Sequence, residues 1–248
     1  AGIFLAALLV FIFIKEPKTY EEKEKQPNMF ASLSELARDK DKSGMRILFA
    51  IFFWFLSYQG VESFLTLYAT KHLGIPEGDA GRMSGHMGIF FVLFAIIAGI
   101  IGSRLGRRKT ISIGIVGMGL LVLLIALLPV DFLTTELVKL PALGMIRVVN
   151  LFLMAAGITW SFININSLPM VVDLTVAARI GTFTGLYYLF STLAAIIGPN
   201  LNGLIVQLAG NNYGMVMVIA PVFLVVALIL MLGVKKGEAT KEDNILQP

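Results

Sequence analysis

Six blocks of this sequence, roughly residues 47–70, 85–103, 111–130, 146–172, 181–209 and 213–234, are almost continuously apolar. A helix rises 1.5 Å per residue, so about 20 such residues cross the ~30 Å hydrocarbon layer of a bilayer. Each block therefore predicts a membrane-spanning helix, and the lipid rather than water is the solvent that matters. Composition agrees: 57% of the chain is hydrophobic and 15% charged, whereas soluble domains run near 45–50% and 25%. A seventh run, AGIFLAALLVFIFI at 1–14, is too short to span alone. No initiating Met or basic residue precedes it and KEPK follows directly, so it is expected to be the end of a truncated helix rather than a signal peptide.

The cations divide sharply between alternate connections. Sixteen of the 20 Lys and Arg residues lie before the first full span, at 104–109, at Arg179 or after the last span. The other connections hold only Lys71, Arg82, Lys139 and Arg147. Positive charge in short loops marks the cytoplasmic side, which predicts a multi-pass protein of the cell membrane with a cytoplasmic C-terminus. The expected organisation is a helix end at 1–14, a cytoplasmic linker at 15–45, a six-helix domain at 46–234 and a cytoplasmic tail at 235–248. Within the linker, Phe30, Leu33 and Ala37, with Leu36 beside them, predict one amphipathic helix near 30–40. Both ends on one side divide the six spans into two triplets of opposite orientation, the arrangement of a 3+3 inverted repeat.

Several chemistries are excluded. There is no cysteine, and His72 and His86 are too few for a histidine metal site. No Ser/His/Asp set, metal-ligand spacing or phosphate loop is present, so the chain is not expected to be an enzyme and no cofactor is expected. GIIGSRLGRRKTI at 99–111 gathers Arg104, Arg107, Arg108 and Lys109 within six positions. In a soluble chain such a cluster suggests phosphate or nucleic acid. Between two spans on the cation-rich side it marks topology, and no nucleic-acid partner is expected.

The first ten residues of that stretch, GIIGSRLGRR, resemble the G-x-x-x-D-R-x-G-R-R loop signature of the major facilitator superfamily. Gly99, Arg104, Gly106, Arg107 and Arg108 occupy matching positions, and Ser103 stands where the family usually has Asp. The resemblance implies an all-α membrane protein that is the C-terminal half of a twelve-helix fold, with an N-terminal half of the same transporter as its partner. FFWFLSYQGVESFLTLYA, NINSLPMVVDL and GTFTGLYYLFSTLAAIIGP are similar to bacterial relatives of the sucrose and glycoside–cation symporters. That implies a small-molecule substrate of the sugar class, and a proton or sodium as coupling ion.

Candidate functional residues follow from polarity inside the spans. Glu62 is the only acid well inside one, about 24 Å along a helix of about 35 Å. An intramembrane carboxylate is costly unless protonated, paired or hydrated, and by default marks a pathway. Trp54, Tyr58, Glu62 and Thr66 recur every four residues, with Gln59 beside them, as a polar stripe with an aromatic platform. Trp160, Asn164 and Ser167 form a second stripe in the fourth helix, and Thr184, Tyr188 and Ser191 a third in the fifth. Amides and hydroxyls beside rings suit a neutral polyol, although such residues also join helices. The helices at 111–130 and 213–234 have almost no polar side chains within the membrane and are expected to be lipid-facing scaffold, and His86, near the outer start of the second helix, is expected to be structural or interfacial. Given the family fold, Asp173 is expected to pair with Arg104 or Arg107, beside Gly106, Arg108 and Arg179, as a gate at the basic end. The expected function is alternating-access transport, with cation-coupled symport of a sugar or glycoside first. A multidrug or lipophilic-solute exporter, and a non-transporting membrane sensor or assembly subunit, stand as alternatives.

Overall fold

The computed structural model of the protein describes Phe13, residues 29–176 and residues 179–235. The rest of the expected helix end at 1–14, the linker up to residue 28 and the tail from residue 236 lie outside the described residues. One amphipathic helix, α1 (Met29–Arg38), precedes six long ones. These are α2 (Ser43–Leu67), α3 (Met83–Leu105), α4 (Arg107–Leu127), α5 (Val148–Val172), α6 (Ile180–Leu208) and α7 (Met215–Leu232). All six are long and apolar enough to cross a membrane. α2 runs on into a π-helical turn at Tyr68–His72.

The six helices pack in the spatial order α3–α5–α4–α7–α2–α6. Exchanging α2 with α5, α3 with α6 and α4 with α7 maps every major contact onto another. The contact of α3 with α5 becomes that of α6 with α2, α4 with α5 becomes α7 with α2, and α4 with α7 maps onto itself. This is the packing of an inverted repeat, present although the two triplets share no evident residue pattern. Tight crossings sustain it. A Cβ at Gly157 would fall 2.2 Å from the Met87 carbonyl oxygen of α3, and one at Gly60 would fall 2.1 Å from Asn202 Nδ2 of α6. At Gly157 only glycine lets two backbones approach so closely, as lipid-embedded helix pairs commonly require, whereas at Gly60 the space is taken by the Asn202 side chain. The core lies where α2, α4, α5 and α7 meet, around Ile51, Ile115, Met118, Leu153, Met217 and Leu224. α4 and α7 bury one face there and expose the other, so the scaffold expectation holds for one side of each.

The turn between α3 and α4 is a single residue, Gly106, at φ +96°. Only glycine adopts that backbone without strain, which gives the glycine of GIIGSRLGRR a physical reason. At the opposite end, between α4 and α5, the chain forms a two-stranded antiparallel hairpin, β1 (Glu136–Leu140) with β2 (Gly144–Arg147). The sequence analysis did not anticipate it.

Candidate functional site

One ring of the α2 stripe and one of the α5 stripe meet face to face. The rings of Tyr58 and Trp160 stack with centroids 4.0 Å apart and planes 6° from parallel. Phe55 places its edge on Trp160 at 5.3 Å and on Tyr187 at 6.2 Å. The Tyr187 hydroxyl lies 3.1 Å from Ser167 Oγ, and Tyr188 stands edge-on to Tyr187 at 5.2 Å. The result is a continuous aromatic wall across α2, α5 and α6. Tyr58, Gln59, Glu62, Asn164 and Thr184 are half-buried along it, and Tyr188 is 55% exposed. Glu62 interacts with the Tyr58 hydroxyl one turn away. Among the described residues it is the only acid within the interior of α2–α7.

One predicted member stands apart, and another is fully buried while bonded to the wall. Trp54 is fully buried in the core, and its indole N–H has no partner among the described residues, so it does not line the wall. A helix turns 100° per residue, so a four-residue spacing drifts about 40° per step and carries Trp54 about 80° away from Glu62. Ser167 is also buried, with its hydroxyl donating to the Asn164 carbonyl or bonding Tyr187. Phe55 and Tyr187 are the wall members that the sequence analysis missed. The Tyr-Tyr pair at 187–188 was a usable signal, because adjacent aromatics on a helix face two neighbouring surfaces.

At the basic end, Arg107 Nε lies 3.3 Å from Asp173 Oδ2, tying the start of α4 to the end of α5. Arg104 is exposed and makes no ion pair among the described residues. Arg108 does not join that pair; it donates to the Leu232 carbonyl of α7 at 2.8 Å. Arg179 also departs from the expected cluster. It binds Glu35 of α1 at 2.6 Å and the Ser32 hydroxyl at 3.1 Å, because α1 folds back beneath the start of α6. Its guanidinium lies 5.7 Å from the Phe183 ring centre. Ser103 donates to the Ile100 carbonyl of its own helix.

The opposite end carries a second charge cluster, invisible in the sequence because its members are up to 68 residues apart. Arg147, 6% exposed, bridges Asp79 at 3.0 Å and Glu136 at 2.8 Å. The Arg147 backbone N–H donates to Asn150 Oδ1, which fixes the amide so that Nδ2 donates to His86 Nδ1 at 2.9 Å. His86 Nε2 then donates to the Leu143 carbonyl at 3.0 Å. The histidine is structural and clips the hairpin onto α3. No group of His, Asp and Glu able to hold a metal occurs among the described residues.

Comparison with known proteins places this architecture. The Major Facilitator Superfamily model matches residues 1–199 and again residues 73–246. The cis,cis-muconate transport protein of Acinetobacter baylyi is 26% identical over 129 residues, covering 49% of this chain and 31% of that protein. The E. coli fucose:proton symporter FucP shares the fold at a TM-score of 0.70 and 17% identity, over 95% of this chain and 53% of FucP. A POT family transporter in complex with a thioalcohol-conjugated peptide matches at a TM-score of 0.62 and 20% identity, over 77% of this chain and 37% of that one. The chain thus spans about a third of the curated relative and a third to a half of these solved structures. With a family match over most of its length and a six-helix inverted repeat, the chain belongs to the Major Facilitator Superfamily.

Proposed function

We propose that this chain forms one half of a secondary active transporter working by alternating access, and that it carries a sugar or glycoside in symport with a proton or sodium. The observation that carries the reading is Glu62 beside the stacked Tyr58–Trp160 pair. A single ionisable group in a half-buried wall of rings, amides and hydroxyls provides a coupling site next to a surface suited to a neutral polyol. Tyr58, Gln59, Asn164, Thr184 and Tyr188 are the proposed substrate contacts. Arg107 and Asp173 are the proposed gate at the basic end, which is proposed to face the cytoplasm. The N-terminal half of the same transporter is the proposed partner and supplies the opposite wall.

The muconate transport relative favours a second reading, uptake of an organic anion. Among the described residues the interior of α2–α7 carries no Lys or Arg, so this half offers a dicarboxylate no counter-charge and the neutral substrate is preferred. Counterflow and uptake by the full-length protein in proteoliposomes separate the readings. Sugar uptake driven by a pH or sodium gradient is the expected result. Muconate uptake without sugar uptake moves the assignment to an organic anion. Efflux of lipophilic dyes moves it to an exporter, and no flux for any panel member leaves the sensor or assembly subunit.

A further inference from the structure

We propose that the seam between α4 and α7 binds one anionic phospholipid, with its headgroup at the basic end. Two cavities lie along this seam. The first, about 460 Å³, is lined by Leu105, Arg108, Lys109, Ser112, Ile113 and Leu232. The second, about 180 Å³, is wholly apolar and lies between Val116, Gly119, Leu120 and Leu123 of α4 and Pro221 and Val225 of α7. From Ser112 to Leu123 the seam descends about 16 Å along α4. The two cavities follow one another along α4 and α7, the first with cations in its lining and the second apolar, and we read them as one track.

The charges at its head have no acidic partner among the described residues. Arg107, immediately before them, is paired with Asp173, but neither Arg108 nor Lys109 makes an ion pair among the described residues. Arg108 is held in place by its bond to the Leu232 carbonyl, which sets its guanidinium against the end of α7. Lys109 is exposed, and the Ser112 hydroxyl one turn on belongs to the same cavity. One anchored cation, Arg108, and one free to reorient, Lys109, match a phosphate diester, the Ser112 hydroxyl being already donated to the Arg108 carbonyl at 2.9 Å. Juxtamembrane cations favour anionic over zwitterionic lipid by about five-fold each. The apolar continuation selects a lipid over a free anion, because only a lipid fills both cavities at once. There is space beside Gly119: a Cβ there meets nothing closer than Leu224, at 3.9 Å. Leu105, Ile113, Leu120 and Leu232 are exposed along its rim.

The test is native mass spectrometry of the full-length protein from mixed phosphatidylglycerol and phosphatidylcholine micelles. One retained phosphatidylglycerol is expected, with its preference over phosphatidylcholine falling about five-fold in Lys109→Gln. Arg108→Gln is expected to do the same. Because Arg108 also bonds α7, the Lys109 variant, whose side chain has no such bond, separates lipid binding from folding. Gly119→Leu fills the track without touching charge and is expected to weaken retention of both lipids. Unchanged retention in Gly119→Leu overturns the proposal in favour of diffuse charge attraction. An unchanged phosphatidylglycerol preference in Lys109→Gln and Arg108→Gln overturns it outright. Displacement of the lipid by inorganic phosphate overturns it in favour of a free-anion site. A preference seen only after removal of residues 237–248 overturns it in favour of the acidic tail as occupant.

Discussion

Glu62 is half-buried on α2, within reach of a tyrosine hydroxyl whose ring is pinned flat against Trp160. Glu62→Gln keeps the size and hydrogen-bonding capacity of the side chain and removes only its ability to carry a charge. In proteoliposomes of the full-length protein it is expected to reduce gradient-driven accumulation about ten-fold while leaving counterflow intact; equal loss of both assigns Glu62 to substrate binding instead. Such an acid stands out in the sequence because burying charge in lipid is costly. The wall around it is less legible, since a four-residue stripe drifts around a helix and Trp54 rotates into the core. Glycine contacts were not legible at all: Gly157 reads like any helical glycine until Met87 is placed against it. Gly157→Ala forces its Cβ onto backbone that cannot swing away, and is expected to cost about 1–3 kcal/mol. Thermal unfolding in detergent measures this, and an unchanged midpoint refutes the tight crossing.

α1 is joined to the bundle by a charge contact and a strip of apolar side chains. Met29, Leu33 and Leu36 pack against the core, and Lys42 donates to the Ala37 carbonyl at 2.6 Å. The helical spacing of Leu33 and Leu36 made this helix legible, but Phe30, expected on the same face, is 72% exposed because Met29 takes the packed position. The Arg179 guanidinium beside Glu35 holds its carboxyl below the usual carboxylate range, first by hydrogen bonding and then by charge attraction. A docked pKa below the undocked one means that the contact contributes above the ordinary value near ~4.3 and is lost as pH falls through the lower docked value. Docking of α1 is therefore expected to be constant at neutral pH and to weaken only in acid. The effect is small and salt-sensitive, since the Glu35 side chain is 61% exposed. A spin label at Phe30 read across pH checks it, and Arg179→Gln is expected to remove the dependence; the same acid midpoint in that variant refutes the coupling. The hairpin was hidden for a different reason. Its strands are only five and four residues long, and its anchors, Asp79 just before α3 and His86 in the first turn of α3, lie 68 and 57 residues earlier in the chain than the groups they hold.

The six helices are related by exchange of the two triplets, and the ends of their packing order, α3 and α6, are the helices with a single major packing partner in this half. The alternation of the helices was legible because six long apolar blocks joined by short polar connections run up and down in turn. The packing order was not, because the apolar surfaces of membrane helices differ too little to name their neighbours. That order determines what the Arg107–Asp173 pair can do. It joins α4 to α5, two helices of the same bundle, so it cannot by itself clamp one half of a transporter to the other. It can set the shape of the basic end, and one Arg107 guanidinium nitrogen, Nη1, is buried with no partner among the described residues. On the proposed function, such a donor takes an acceptor from the other half in one state only, which is how a local contact biases a rocking equilibrium. Arg107→Gln and Asp173→Asn are each expected to slow transport and to shift the populations of the two states by about five-fold at most, the range of a partly exposed pair. Distances between spin labels on the two halves measure those populations. The Arg107→Asp, Asp173→Arg exchange restores the internal pair but places the surplus donors on the other helix, so it is expected to recover thermal stability without recovering the populations. Recovery of both reduces the pair to a staple within one half, and recovery of neither shows that Arg107 works without Asp173.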